Sequence, residues 1–294
     1  MNSEELRIAG YSTALFSTWF FVESYGLLFD AGDGLSSALL QKSRKIKHVF
    51  ISHADRDHLG GLFQFHQLNG RGDFPRIHFP AHSGSFPAIA DFTQRFDPHV
   101  RESVWIPIHA GQEFDLHKGL AVHSVRNEHI DLPAPITKSL SYLLVSKKEK
   151  LKPEFRHLSG QEIRKLADTH GRAHLSQTVS SKLLGYSGDT PVSHFEHWDN
   201  TEILIHEATF LGPVDNLNNR SNKHSYLEEV LQMVSELRIG KLILSHFSSR
   251  YSAEEIDATI KKLAKAYQLQ LPIYRILPGE TNFDILRGEP VYEG

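Results

Sequence analysis

No cysteine occurs among the 294 residues. Its absence excludes a disulfide framework and any thiolate metal site. No apolar run approaches the length of a membrane-spanning helix, so no membrane partner is expected. The opening Met1-Asn2-Ser3-Glu4-Glu5 is acidic where an export signal is basic, and a cytoplasmic location is the simplest reading. An excess of positive charge is missing too. The formal net charge of −3 excludes a uniformly basic nucleic-acid binder and leaves any RNA contact to a local patch. Low-complexity tracts are absent. What remains, 40% hydrophobic and 23% charged, suffices for a substantial core in one large domain or two small ones.

Histidine, by contrast, is plentiful, with 19 copies, and the chain is organised around one group of them. Val49-Phe50-Ile51 gives a short buried-strand signal. Ser52-His53-Ala54-Asp55-Arg56-Asp57-His58-Leu59-Gly60-Gly61 follows. Successive side chains of a strand alternate between faces, so a strand cannot gather four ligands on one side. A tight loop at a strand end can, if it turns at once into a helix. Imidazole and carboxylate suit divalent ions such as Zn²⁺, Mn²⁺ or Fe²⁺. A merely polar, histidine-rich loop is the bland alternative, and clustered His and Asp outweigh it.

Either side of this loop the pattern alternates between short strands and amphipathic helices. Strands are expected at Leu6 to Ala9, Ala14 to Val22, Leu27 to Asp30, Ile46 to Ser52 and Arg76 to Phe79. Helices are expected at Leu59 to Leu68 and Ser83 to Phe96. A meander follows at Val104 to Ile106, Gln112 to Leu116, Leu120 to Arg126 and Ser139 to Ser146. In the second half, three apolar strands each run into ligand-type residues: Tyr186 into Ser187-Gly188-Asp189, Ile205 into His206-Glu207-Ala208-Thr209, and Leu244 into Ser245-His246. Strand ends are where sites form on α/β scaffolds. Helices are expected at Tyr226 to Leu237 and Ala253 to Ala266.

The His53-x-Asp55-x-Asp57-His58 loop resembles the His-x-His-x-Asp-His signature of the metallo-β-lactamase superfamily, with Asp55 in the place of the second histidine. His206-Glu-Ala-Thr-Phe210 and His246-Phe-Ser-Ser-Arg-Tyr251, with the segment from Lys150 to Ile163, narrow the likeness to the short forms of ribonuclease Z. That family is the tRNA 3′-end processing endonuclease. The resemblance covers most of the chain. It implies one αββα four-layer sandwich over residues 1–294, with two divalent ions, zinc foremost, at one edge. By analogy His53, Asp55 and His129 hold one ion, Asp57, His58 and His246 the other, and Asp189 bridges. His123 competes with His129, which ends a strand-like run where a turn begins. His206 is not expected to be a ligand. The implied reaction is phosphodiester hydrolysis of precursor tRNA, with Asp57 orienting the attacking water. His224 would be the general acid, Glu207 its partner, and Arg250 a receiver of phosphate oxygen. A homodimer is implied as well.

Three departures bear on this. Asp55 adds an anion where the family has a neutral imidazole, which favours harder ions such as Mn²⁺ or Fe²⁺. The family's long Gly-Pro-rich arm is replaced by a shorter basic hairpin or helix at about 147–171, carrying Lys147, Lys148, Lys150, Lys152, Arg156, Arg164 and Lys165. The basic Pro-x-Lys-x-Arg-Asn loop of many members is replaced by Ser12 to Thr18. Two further readings therefore stand beside the endonuclease: a small-molecule hydrolase of the same fold acting on a phosphodiester, lactone or thioester, and a non-catalytic metal-binding module.

Overall fold

A computed structural model of the chain describes residues 6–96, 103–117, 119–212 and 224–294. Among the described residues, fourteen strands fall into two sheets of seven. The first contains β1 (Ile8–Thr13), β2 (Ser17–Val22), β3 (Leu27–Phe29), β4 (His48–Phe50), β5 (Arg76–Pro80), β6 (Val104–Ile108) and the late β14 (Thr281–Asn282), in the order β14-β1-β2-β3-β4-β5-β6. The second contains β7 (Glu113–His117), β8 (Leu120–Arg126), β9 (Leu140–Leu151), β10 (Ser176–Tyr186), β11 (Thr201–Glu207), β12 (Ile239–Ser245) and β13 (Ile273–Arg275), in the order β13-β12-β11-β10-β9-β8-β7.

The layering follows from strands that are apolar on both faces. In Trp19-Phe20-Phe21-Val22, Phe20 and Val22 point between the sheets, where they join Phe29, Phe50, Tyr142 and Tyr186. Trp19 and Phe21 point outward into a separate cluster with Leu62 and Phe65. These last two lie on α3 (Leu62–Asn69), which covers that face with α1 (Leu35–Leu39), α2 (Arg56–Leu59) and α4 (Ser85–Phe96). The outer face of the second sheet is covered by α7 (Leu227–Ser235) and α8 (Ala253–Ala266), whose Leu231 and Ile260 pack with Leu204, Leu242 and Leu244. The result is the expected αββα sandwich. Among the described residues no helix is long and apolar enough to cross a membrane.

Three expectations about elements need correction. The strand expected over Ala14 to Val22 starts only at Ser17, because Thr13 to Phe16 forms a turn closed by Phe16 N–H donating to the Thr13 carbonyl at 3.0 Å. The helix expected over Leu59 to Leu68 is broken at Gly60-Gly61 into α2 and α3. The basic insertion extends beyond 171. Its stem is a two-stranded ribbon in which Lys147 to Leu151 of β9 pairs with Ser176 to Ser180 of β10, and its tip carries α5 (Gly160–His170) and α6 (Arg172–Leu175). The return strand Ser176-Gln177-Thr178-Val179-Ser180-Ser181 gives no strand signal because neither face is buried in the core.

The break at Gly60-Gly61 has a steric cause. A Cβ on Gly61 would lie 2.2 Å from the Gly32 carbonyl oxygen, and one on Gly32 would lie 2.4 Å from the Asp57 carbonyl oxygen. Two backbones touch here, so the His53 to His58 loop is pressed against the end of β3. Gly61→Ala is expected to cost about 1–3 kcal/mol of folding stability through overpacking. Denaturant unfolding measures this, and an unchanged midpoint would show that the contact can relax.

Candidate metal centre and catalytic cleft

The side chains singled out in the sequence come together where the carboxyl ends of β3, β4, β10, β11 and β12 meet. Asp57, His58, Asp189 and His246 form one group of mutually close donor atoms, and His53, His129 and Asp189 form another. Asp189 belongs to both. Asp55 is the outlying member, 59% exposed, with Oδ2 at 3.6 Å from Nε2 of both His53 and His129. His123 sits elsewhere, on β8, where Nε2 faces Glu113 of β7. The structure thus places His129, and not His123, beside His53, with ring centroids 4.5 Å apart. His206 is buried and turned away, its Nδ1 donating to the Glu207 carbonyl at 2.7 Å.

The far side of each imidazole explains how the cluster is aimed. Asp30 ends β3 and is fully buried. It accepts hydrogen bonds from the Ser52 amide at 2.6 Å, the Ser52 hydroxyl at 2.7 Å, Nδ1–H of His58 at 2.7 Å and the Tyr186 hydroxyl. Because the Ser52 proton is given to Asp30, Ser52 Oγ accepts from Nδ1–H of His53 at 2.9 Å. Both histidines therefore donate through Nδ1 and turn Nε2 toward Asp189. Thr209 repeats the device. Its hydroxyl donates to Glu207 Oε2 at 2.6 Å and accepts from Nδ1–H of His246 at 2.9 Å. His246 itself is held at φ 61°, with its amide donating to Ser12 Oγ at 2.9 Å.

Electrostatics separate the two histidines. Burial pushes the His53 imidazole well toward its neutral form, and the neighbouring His58 adds to the effect. Burial also opposes charge on His58, yet Asp189 and Asp30 outweigh it and raise its pKa well above the ordinary value. His129 and His53 hold the Asp55 carboxyl far below the carboxylate range. Nε2 of His53 is buried with no hydrogen-bond partner. A bare imidazole nitrogen, shut off from water and facing anionic oxygens, fits a divalent cation and little else.

A third close group, Glu207, His224 and His246, is of another kind. The carboxylate of Glu207 is taken up by the Thr190 amide at 2.9 Å, the Thr209 amide at 3.1 Å, the Thr209 hydroxyl and Nδ1–H of His224 at 2.9 Å. Its lone pairs are spent, and Nδ1 of His224 also lies 3.9 Å from Asp189 Oδ2. Burial lowers the His224 pKa, but the charge and hydrogen bond of Glu207, with Asp189, more than reverse this and raise it to about 9. His224 therefore holds a proton at neutral pH. The cleft over these groups encloses about 150 Å³ and is also lined by Leu15, Phe210 and Arg250. Arg250 is exposed, donates through Nε to Ser248 Oγ at 2.9 Å and lies over the Phe210 ring at 5.8 Å. No carboxylate among the described residues pairs with it.

Asp30, Ser52 and Thr209 were not among the residues expected from sequence. Asp30 carried a signal all the same, since it is a carboxylate directly after an apolar strand, as Asp189 and Glu207 nearly are.

Comparison with known proteins matches residues 12–146 to the metallo-beta-lactamase superfamily model. A chloroplastic tRNase Z of Arabidopsis thaliana is 27% identical over 275 residues, covering 88% of this chain and 72% of that protein. A ribonuclease Z of Archaeoglobus fulgidus is 27% identical over 288 residues, covering 88% and 89%. Among solved structures, the short form of human tRNase Z superposes with a TM-score of 0.57 at 17% identity, covering 84% and 94%. A metallo-beta-lactamase fold protein of Bacillus subtilis gives 0.60 at 16% identity, covering 94% and 98%.

Asp30→Asn tests the aiming device. An amide cannot accept every hydrogen bond that the carboxylate accepts. Metal affinity is expected to fall about 10–100-fold, read by metal retention against a chelator series. Retention equal to that of the unaltered protein would show that the histidines are aimed without Asp30.

Proposed function

We propose that this chain, which has the metallo-β-lactamase fold and ribonucleases Z among its relatives, is a metal-dependent endoribonuclease that removes the 3′ trailer of precursor tRNA. The observation that carries the reading is the His224–Glu207 pair set beside the shared carboxylate Asp189, separate from the groups that would hold metal. His53, His129 and Asp55, with Asp57, His58, His246 and Asp189, would hold two divalent ions, which would supply Lewis acidity and lower the pKa of water toward neutrality. The chain's own groups do the rest. Asp57, whose Oδ2 also accepts from the Leu15 amide at 3.0 Å, orients the attacking water and takes its proton. Arg250, free of any carboxylate, receives a non-bridging phosphate oxygen. His224 gives its Nε2 proton to the departing 3′ oxygen, and Glu207 keeps it charged until then.

Zinc is the first candidate for the metal, and the anion at Asp55 shifts preference toward Mn²⁺. The ribbon and helices at 147–175 present Lys148, Lys150, Lys152, Arg156, Arg164 and Lys165 to RNA, whereas Lys147 is committed to Glu113. A homodimer belongs to the reading on family resemblance alone, and a cytoplasmic location as the simplest reading of the sequence. The short arm favours one second reading, a small-molecule phosphodiesterase, which needs no grip on a folded RNA.

Purified protein supplied with Zn²⁺ or Mn²⁺ is expected to cut a precursor tRNA once, after the discriminator base. No cut by metal-loaded protein, with turnover of bis(p-nitrophenyl) phosphate, would favour the small-molecule reading. The pH profile tests the acid. His224 acts in its protonated form, so activity is present below its pKa and lost as pH rises through it. Bound metal cancels the share of Asp189 in raising that pKa, so the basic limb should lie below about 9 and above the free-histidine value of about 6.5. Glu207→Gln should move the limb to lower pH. A limb unmoved by this change would remove His224 from the role.

A further inference from the structure

The turn between β1 and β2 stands on the rim of the cleft and has two features that a plain connection does not need. Leu15 adopts φ 69°, a left-handed conformation in which a bulky side chain is strained and glycine or asparagine is the ordinary occupant. Leu15 is also 86% exposed, and Phe16 after it is 62% exposed. One exposed leucine is unremarkable. Two successive large apolar side chains, one of them on strained backbone beside a cluster of metal-type ligands, suggest a function.

The turn is also held in register with the site. The Leu15 amide donates to Asp57 Oδ2 at 3.0 Å, and the Ala14 amide donates to the carbonyl of Phe247, the neighbour of His246, at 3.2 Å. Its position is therefore fixed from both sheets. Phe210, with the Arg250 guanidinium over its ring, lines the same cleft as Leu15. The Arg250 guanidinium and the exposed Leu15 side chain thus line one cleft, with Phe16 next to Leu15 in the chain.

We propose that Leu15 and Phe16 form a stacking lip for the unpaired nucleobase next to the scissile phosphate. This rests on the endonuclease reading and adds the group that selects the cutting position. A phosphodiester seated in this cleft carries a flat heterocycle on each side. The lip offers apolar surface to one of them, and stacking tolerates any base because every base has a π-face. A base inside a helix has both faces covered by its neighbours, so the lip takes a single-stranded nucleotide.

The test uses metal-loaded full-length protein, with Leu15→Gly and Phe16→Ala as variants. The substrate is trailer-bearing RNA, normal or abasic at either nucleotide flanking the cut. In the unaltered protein, removing the base on one side should lower kcat/KM about tenfold. Each variant should lose a comparable factor on normal RNA and little more on the abasic RNA. Leu15→Gly should melt no lower than the unaltered protein, because glycine suits φ 69°. It should also retain metal equally, because it keeps the amide that Asp57 accepts from. Equal sensitivity to base removal in variants and unaltered protein overturns the lip, as does a lowered melting point with lost metal, which makes Leu15 structural. RNA cut with no dependence on either base overturns the lip alone. No RNA cut at all overturns the endonuclease reading with it.

Discussion

Asp30 accepts hydrogen bonds from a backbone amide, two hydroxyls and an imidazole, all shut away from water. An unpaired carboxylate in that position would cost several kcal/mol, so the fold can hold Asp30 only with its donors in place. Those donors come from both sheets. Ser52 and His58 follow β4, and Tyr186 ends β10. The same hydrogen bonds that make the carboxylate tolerable also tie the two sheets together at their strand ends and orient the rings of His53 and His58. Stability of the edge and aim of the ligands are therefore one requirement.

Glu207 plays the corresponding part on the second sheet. Its hydrogen bonds pass through Thr209 to His246 and directly to His224. The two carboxylates differ in what they control. Asp30, directly and through Ser52, turns Nε2 of His58 and His53 toward Asp189, which suits metal binding. Glu207 keeps a proton on His224, which suits acid catalysis. One architectural device, a buried carboxylate behind a histidine, thus serves two chemistries according to whether the imidazole joins the Asp57, Asp189 and His246 group, as His58 does, or lines the cleft, as His224 does.

Much of this was legible in the sequence. The His53 to His58 loop, the strand-end positions of Asp189, Glu207 and His246, and the alternation of strands with helices all depend on local spacing, which a sequence displays directly. The αββα layering was implied by the family resemblance rather than by the strand pattern. What stayed hidden depends on contacts between distant segments. Asp30 reads as the start of a turn until His58 and Tyr186 are brought to it. His129 and His123 could be separated only by the partner strand, since pairing of β7 with β8 gives His123 to Glu113. The outer half of β10 is polar on both faces and carries no periodic signal. Ala14 to Phe16 reads as the start of a strand running to Val22, and its turn becomes apparent only from the left-handed backbone of Leu15.

Anomalous diffraction from crystals grown with Mn²⁺ would test the central claim most directly. Two peaks are predicted, one among His53, Asp55, His129 and Asp189 and one among Asp57, His58, His246 and Asp189, with no metal between Glu207 and His224. A peak on the Glu207–His224 pair, or a single peak that leaves His53 without a partner, would contradict the division of labour between the two buried carboxylates.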